Sequence, residues 1–158
     1  MQIEKTYSKV DEAKEIIIKL CEKYPDVFWT VVPATVEVLG IDNKTRTKDN
    51  TTLAKIIPVK GAEKAVMKMF NVPVRYIIEL YWEDWNKWAV PMRQWVIAHE
   101  LEHIPVKVGE TVQHDCKDFN IILDKVGINW TLSKDLPNLL EEDVKFNLDL
   151  RPSVVEKE

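Results

Sequence analysis

The segment His99-Glu100-Leu101-Glu102-His103 constrains this chain more than any other stretch of it. The pattern H-E-x-x-H does chemistry only on a helix, because only helical spacing stacks residues i and i+4 on one face. Two imidazoles stacked in this way can reach one Zn²⁺, each at about 2.0–2.1 Å. Glu100 follows the first histidine directly, where its carboxylate can hold an attacking water and take its proton. Histidine is scarce in this chain. There are three, and the third, His114, lies just downstream, so all of them fall between positions 99 and 114. That confinement favours a metal site over a chance arrangement of surface or core histidines.

The 158 residues suffice for one domain with a real core. We expect a single unit over 1–158, with its core at about 8–127 and a C-terminal extension at about 128–158. The formal net charge of −4 argues against a chain built mainly to grip nucleic acid. No apolar run is long enough to span a bilayer. Met1-Gln2-Ile3-Glu4-Lys5 carries no signal-peptide hydrophobic region, so a cytoplasmic location is expected. Cys21 and Cys116 form no C-x-x-C pair and read as reduced, buried small hydrophobes.

The pattern along the chain predicts an α+β fold, in which a small mixed sheet packs against the metal-binding helix and flanking helices. Ser8 or Asp11 can cap a first helix through Ile16, Ile17 and Leu20, ended by Pro25-Asp26. Thr35–Ile41 and Leu53–Val59 read as strands joined by a polar hairpin loop. A short helix over Ala62–Phe70 would bury Ala65, Val66, Met69 and Phe70. Val72–Trp82 is the clearest strand, with Val74, Tyr76, Ile78, Leu80 and Trp82 on one face. Its place before the motif suggests an edge strand near Val74–Trp82 that could take an extended peptide or protein substrate. Asp84 can cap a turn carrying Trp85 and Trp88. Pro91 suits the first turn of the metal-binding helix, which Pro105 closes. The tryptophans at 82, 85, 88 and 95 fit packing around that helix better than a base-stacking platform. A further helix is expected from Asp115 to Val126, opened by His114 and stopped by Gly127. One more amphipathic piece is expected around Leu136–Phe146.

The third ligand sets the class. A metzincin needs Gly at 106 and His at 109, where this chain has Val106 and Gly109. Glu141 or Glu142 could serve as a downstream glutamate ligand but has no supporting motif. His114 is the better candidate, because a neutral imidazole suits a zinc site already holding two histidines. Asp115 and Asp118 could act on the metal directly or through a ligand, and Asp118 at i+4 could orient the His114 ring.

Ala98-His99-Glu100-Leu101-Glu102-His103 followed by His114-Asp115-Cys116-Lys117-Asp118-Phe119 resembles a phage and archaeal metallopeptidase family with the pattern HELxH, then H-D-x-x-D-F. It is also similar to the SprT-like and WLM proteases. The resemblance covers about residues 8–127. It implies a zinc-dependent peptidase with Zn²⁺ held by His99, His103 and His114 and with Glu100 as general base. The alternatives are a structural zinc protein or a zincin scaffold that binds a partner without turnover. Tyr76 and Tyr81 are the available candidates for oxyanion stabilisation. Neither membrane nor nucleic acid is expected as a partner.

Overall fold

The computed structural model describes residues 4–47, 52–106, 109–114 and 118–151. The order of elements is β1 (Tyr7–Lys9), α1 (Asp11–Lys23), β2 (Val36–Ile41), β3 (Ala54–Pro58), α2 (Gly61–Met69), β4 (Tyr76–Tyr81), α3 (Trp82–Lys87), α4 (Val90–Glu102) and α5 (Asn120–Val126). Among the described residues the strands form one mixed sheet in the order β1-β2-β4-β3. β2 and β4 run parallel, and β1 and β3 flank them antiparallel. The fold is α+β, as expected.

Alternation builds the sheet. Val36 and Val38 on β2 and Tyr76, Ile78 and Leu80 on β4 are buried on the face that meets the helices. Gly40 completes that row for a steric reason: a Cβ there would sit 2.9 Å from Cε3 of Trp82. α1 and α4 pack on each other, and α4 also meets β3. α4 opens with Pro91 in its first turn and is buried almost all round, Gln94, Glu100 and Glu102 included. Trp95, Val96, Ile97, Ala98 and Leu101 are all buried, which makes it the central helix of the molecule.

Several local expectations change. β4 lies between β2 and β3, so it is not an edge; among the described residues β3, which meets α4, lies at an edge of the sheet. Because β4 separates β2 from β3, the polar connection after β2 is no hairpin, and its residues 48–51 lie outside the described residues. α1 starts after Val10, with Ser8 inside β1 and no side-chain cap. Asp84 sits inside α3 and pairs with Arg46 instead of capping. α2 buries none of its residues, and Met69 and Phe70 are 70% and 74% exposed. An amphipathic period shows which residues share a face but does not supply a partner for that face. α5 begins at Asn120 instead of position 115. Leu136–Phe146 forms no helix, yet Leu139 is fully buried and Phe146 packs against Tyr24 and Trp95. The extension therefore shares the main core instead of trailing from it. Cys21 is half-buried, and burial pushes its thiol up to about 11. Cys116 and Asp115 lie outside the described residues.

Candidate metal centre

His99 lies in the last turn of α4, and His103 caps its end with helical backbone angles (φ −71°, ψ −13°). The i,i+4 stacking therefore survives to the end of the helix, and the two rings lie 5.3 Å apart. After His103 the chain turns back. Val112 N donates to His103 O at 2.7 Å, and Val112 O lies 2.6 Å from His103 Nδ1. This double link carries His114 over the helix end from residues 110–114, which are neither helix nor strand. Nε2 of His114 lies 3.0 Å from Nε2 of both His99 and His103. Phe119 supports all three rings, with centroids at 5.5, 4.8 and 5.0 Å.

The proton positions follow from the partners. Val112 O can only accept, so His103 Nδ1 carries the hydrogen and its Nε2 presents a lone pair. His99 Nδ1 lies 2.7 Å from Asp118 Oδ1, which gives His99 the same tautomer. Two lone pairs thus converge where His114 Nε2 also points. A neutral His114 has at most one Nε2 hydrogen for these two contacts, so hydrogen bonding cannot satisfy the cluster. A shared cation can, and one ligand atom from each of the three histidines lies within 4.8 Å of the others.

Glu100 adds a second indication. It is buried, its Oε1 lies 4.0 Å from His99 Nε2, and its Oε2 has no hydrogen-bond partner among the described residues. A buried carboxylate oxygen left unpaired beside three imidazoles fits a site that takes a metal and a water. Burial pushes its pKa up to about 7; His99 pulls it down and Asp118 pushes it up. Burial also holds His103 down at about 4, against the pull of the Val112 carbonyl. His103 is therefore neutral and ready to bind metal at pH 7. Burial lowers His99, but the Asp118 hydrogen bond and the carboxylates of Glu100, Asp118 and Glu102 outweigh it and leave the ring raised. Burial raises Asp118, but its bonds from His99, Trp130 and Phe119 bring it below the usual carboxylate range.

Of the predicted site residues, His99, Glu100, His103 and His114 come together. Asp118 joins them through His99 and not, as expected, through His114. Tyr76 is otherwise engaged: its hydroxyl donates to Glu110 O at 2.9 Å and accepts from Gly109 N at 3.1 Å, anchoring the loop before His114. Tyr81 lies under Arg46. The backbone oxygen of Glu142 accepts from Tyr24, and its carboxylate accepts from Asn138 N, so Glu142 is used in holding the C-terminal segment. Trp130 was not foreseen. It donates to Asp118 Oδ2 at 2.7 Å from a segment with no motif that could have flagged it.

The buried Glu100 gives a pH-dependent prediction for metal-free protein. Its folded pKa lies above the unfolded value of about 4.5, so the native state holds a proton that the unfolded chain releases. Stability is therefore full below pH 4.5 and falls as pH rises towards 7. Glu100→Gln removes this loss. Chelator-treated variant and wild type should match near pH 4.5 and diverge to about 3 kcal/mol by pH 8, an upper figure at 1.36 kcal/mol per pKa unit. Urea unfolding across that range checks it, and a gap that does not depend on pH would refute the assignment.

A mixed sheet over a central helix that ends in a three-histidine cluster is a zincin-like arrangement. A family model described as "Putative phage metallopeptidase" matches residues 5–142, and the chain belongs to that family. No curated protein and no solved structure matches the chain. The family's description implies a hydrolase that uses a metal, and His99, His103 and His114 form a group that could hold one. No helix among the described residues is long and apolar enough to cross a membrane.

Proposed function

We propose that this protein is a zinc-dependent peptidase with Glu100 as its general base. The observation that carries the reading is the buried Oε2 of Glu100, without a hydrogen-bond partner among the described residues, beside three converging imidazole nitrogens. His99, His103 and His114 would hold the metal, and an all-nitrogen donor set of neutral imidazoles suits zinc. Bound zinc supplies Lewis acidity towards a scissile carbonyl and lowers the pKa of water. Glu100 does the proton work. With its pKa near 7 it is poised to take a proton from the attacking water and to deliver it to the leaving amine nitrogen. Asp118 keeps the proton of His99 on Nδ1, and Val112 O does the same for His103.

The substrate would be an extended peptide laid along the free edge of β3, Ala54–Pro58, pairing backbone to backbone. The packing of β3 against α4, the helix that carries His99 and His103, supports this reading. The proposed setting is the cytoplasm, where a thiol such as that of Cys21 stays reduced.

The test is digestion of a diverse peptide library, read by mass spectrometry, with chelated and zinc-restored protein. Cleavage that disappears with chelation and returns with zinc is the expected result. A folded, zinc-loaded protein that cuts nothing would instead favour a scaffold that binds without turnover.

A further inference from the structure

Asp118 is a buried carboxylate, 7% exposed, that receives three donors. His99 Nδ1 and Phe119 N lie 2.7 and 2.6 Å from Oδ1, and the indole Nε1 of Trp130 lies 2.7 Å from Oδ2. The terminal torsion of an aspartate is broad and roughly two-fold, so nothing intrinsic keeps one oxygen aimed at His99. The indole N–H supplies that constraint from the far side. Trp130 is itself held with care. The chain leaves α5 through Gly127 at φ 78°, enters the 3₁₀ turn Trp130–Leu132, and turns the indole inward while Ile128 and Leu132 stay exposed. Farther on, Pro137 O accepts from Trp95 Nε1 at 2.9 Å, and Gln94 of α4 bonds both Asn138 and Leu139 N. The segment that carries Trp130 is thus fastened to the helix that carries His99.

We propose that Trp130 is a positioning residue of the metal centre, whose indole N–H locks Asp118 so that His99 keeps its hydrogen on Nδ1 and presents Nε2 to the metal. This rests on the three-histidine site being a metal site, but the constraint on His99 exists without the metal. A ligand whose tautomer and orientation are fixed in advance binds metal more tightly, and losing such an outer partner typically costs about 10–100-fold.

Two measurements on the full chain test it. In metal-free protein, side-chain ¹⁵N spectra should find the hydrogen of His99 on Nδ1 in the wild type and a mixed tautomer in Trp130→Phe. In zinc competition titrations, Trp130→Phe should bind about tenfold more weakly. Asp118→Asn should lose more, and the double variant should be no worse than Asp118→Asn, since both act through one contact. A pure packing role predicts the reverse: lowered thermal stability, unchanged tautomer and additive losses. An unchanged His99 tautomer in Trp130→Phe, or additivity in the cycle, overturns the proposal. If Trp130→Phe does not fold, the Trp130 indole ¹⁵N–¹H resonance decides. It should shift between wild type and Asp118→Asn, and an unmoved resonance overturns it. Wild type that takes up no zinc fails the metal reading alone, because the tautomer measurement stands without metal.

Discussion

Purified His99→Ala protein will carry no stoichiometric zinc. The wild type should bind about one zinc per chain, and elemental analysis with a competition titration measures both. The expectation follows from geometry. Three Nε2 atoms converge, with His114 at 3.0 Å from each of the other two, so removing any one opens the site. His103→Ala should behave like His99→Ala. His114→Ala and Asp118→Ala should separate, because one removes a ligand and the other removes the group that orients one. Losing an outer partner costs about 10–100-fold in affinity, and losing a direct ligand costs far more. Full zinc occupancy in His99→Ala would sink the assignment. Loss of binding in Asp118→Ala with little change in His114→Ala would make the site His-His-Asp.

Glu100→Gln should keep zinc and fold and lose hydrolysis by about 10²–10⁴-fold, the usual scale of general acid–base catalysis. Gln keeps the shape and can still hydrogen-bond a water, but it cannot take the proton. The burial of Glu100 sharpens this prediction. Among the described residues its Oε2 has no hydrogen-bond partner for a water to displace, and its pKa near 7 matches a group that both accepts and returns a proton. Steady-state cleavage of whichever library peptide is cut gives the rate, and zinc content is read on the same sample. Turnover at the wild-type rate in this variant would assign the base elsewhere. Retained zinc distinguishes a lost base from a broken site.

His99, Glu100 and His103 were legible because their relation is local. One helix fixes i and i+4, and Pro91 with the apolar residues Met92, Trp95 and Val96 marks that helix in the sequence. The strands β2 and β4 were legible for the same reason, since alternation and β-branching act over a few residues. The first helix also stood out, with Ile16, Ile17 and Leu20 on its buried side.

What the tertiary structure alone decided was which distant pieces meet. Nothing local distinguishes a centre strand from an edge strand in an isolated segment, so β4 could be recognised as a strand but not placed between β2 and β3. The periodicity of Val66, Met69 and Phe70 was real, but among the described residues no element covers that face of α2. Asp118 was noticed beside His114 because they are near in sequence; folding gives it to His99, whose Nδ1 lies 2.7 Å from Asp118 Oδ1. Trp130 carries no motif, and its meaning comes from the turn at Gly127 and the fastening of residues 137–139 to α4. The sequence by itself determined the helix that brings His99, Glu100 and His103 together and the α+β class, because these depend on patterns within single elements. The approach of His114, the pairing of Asp118 with His99 and the position of β3 at the end of the sheet depend on how elements pack, and only the folded chain decides that.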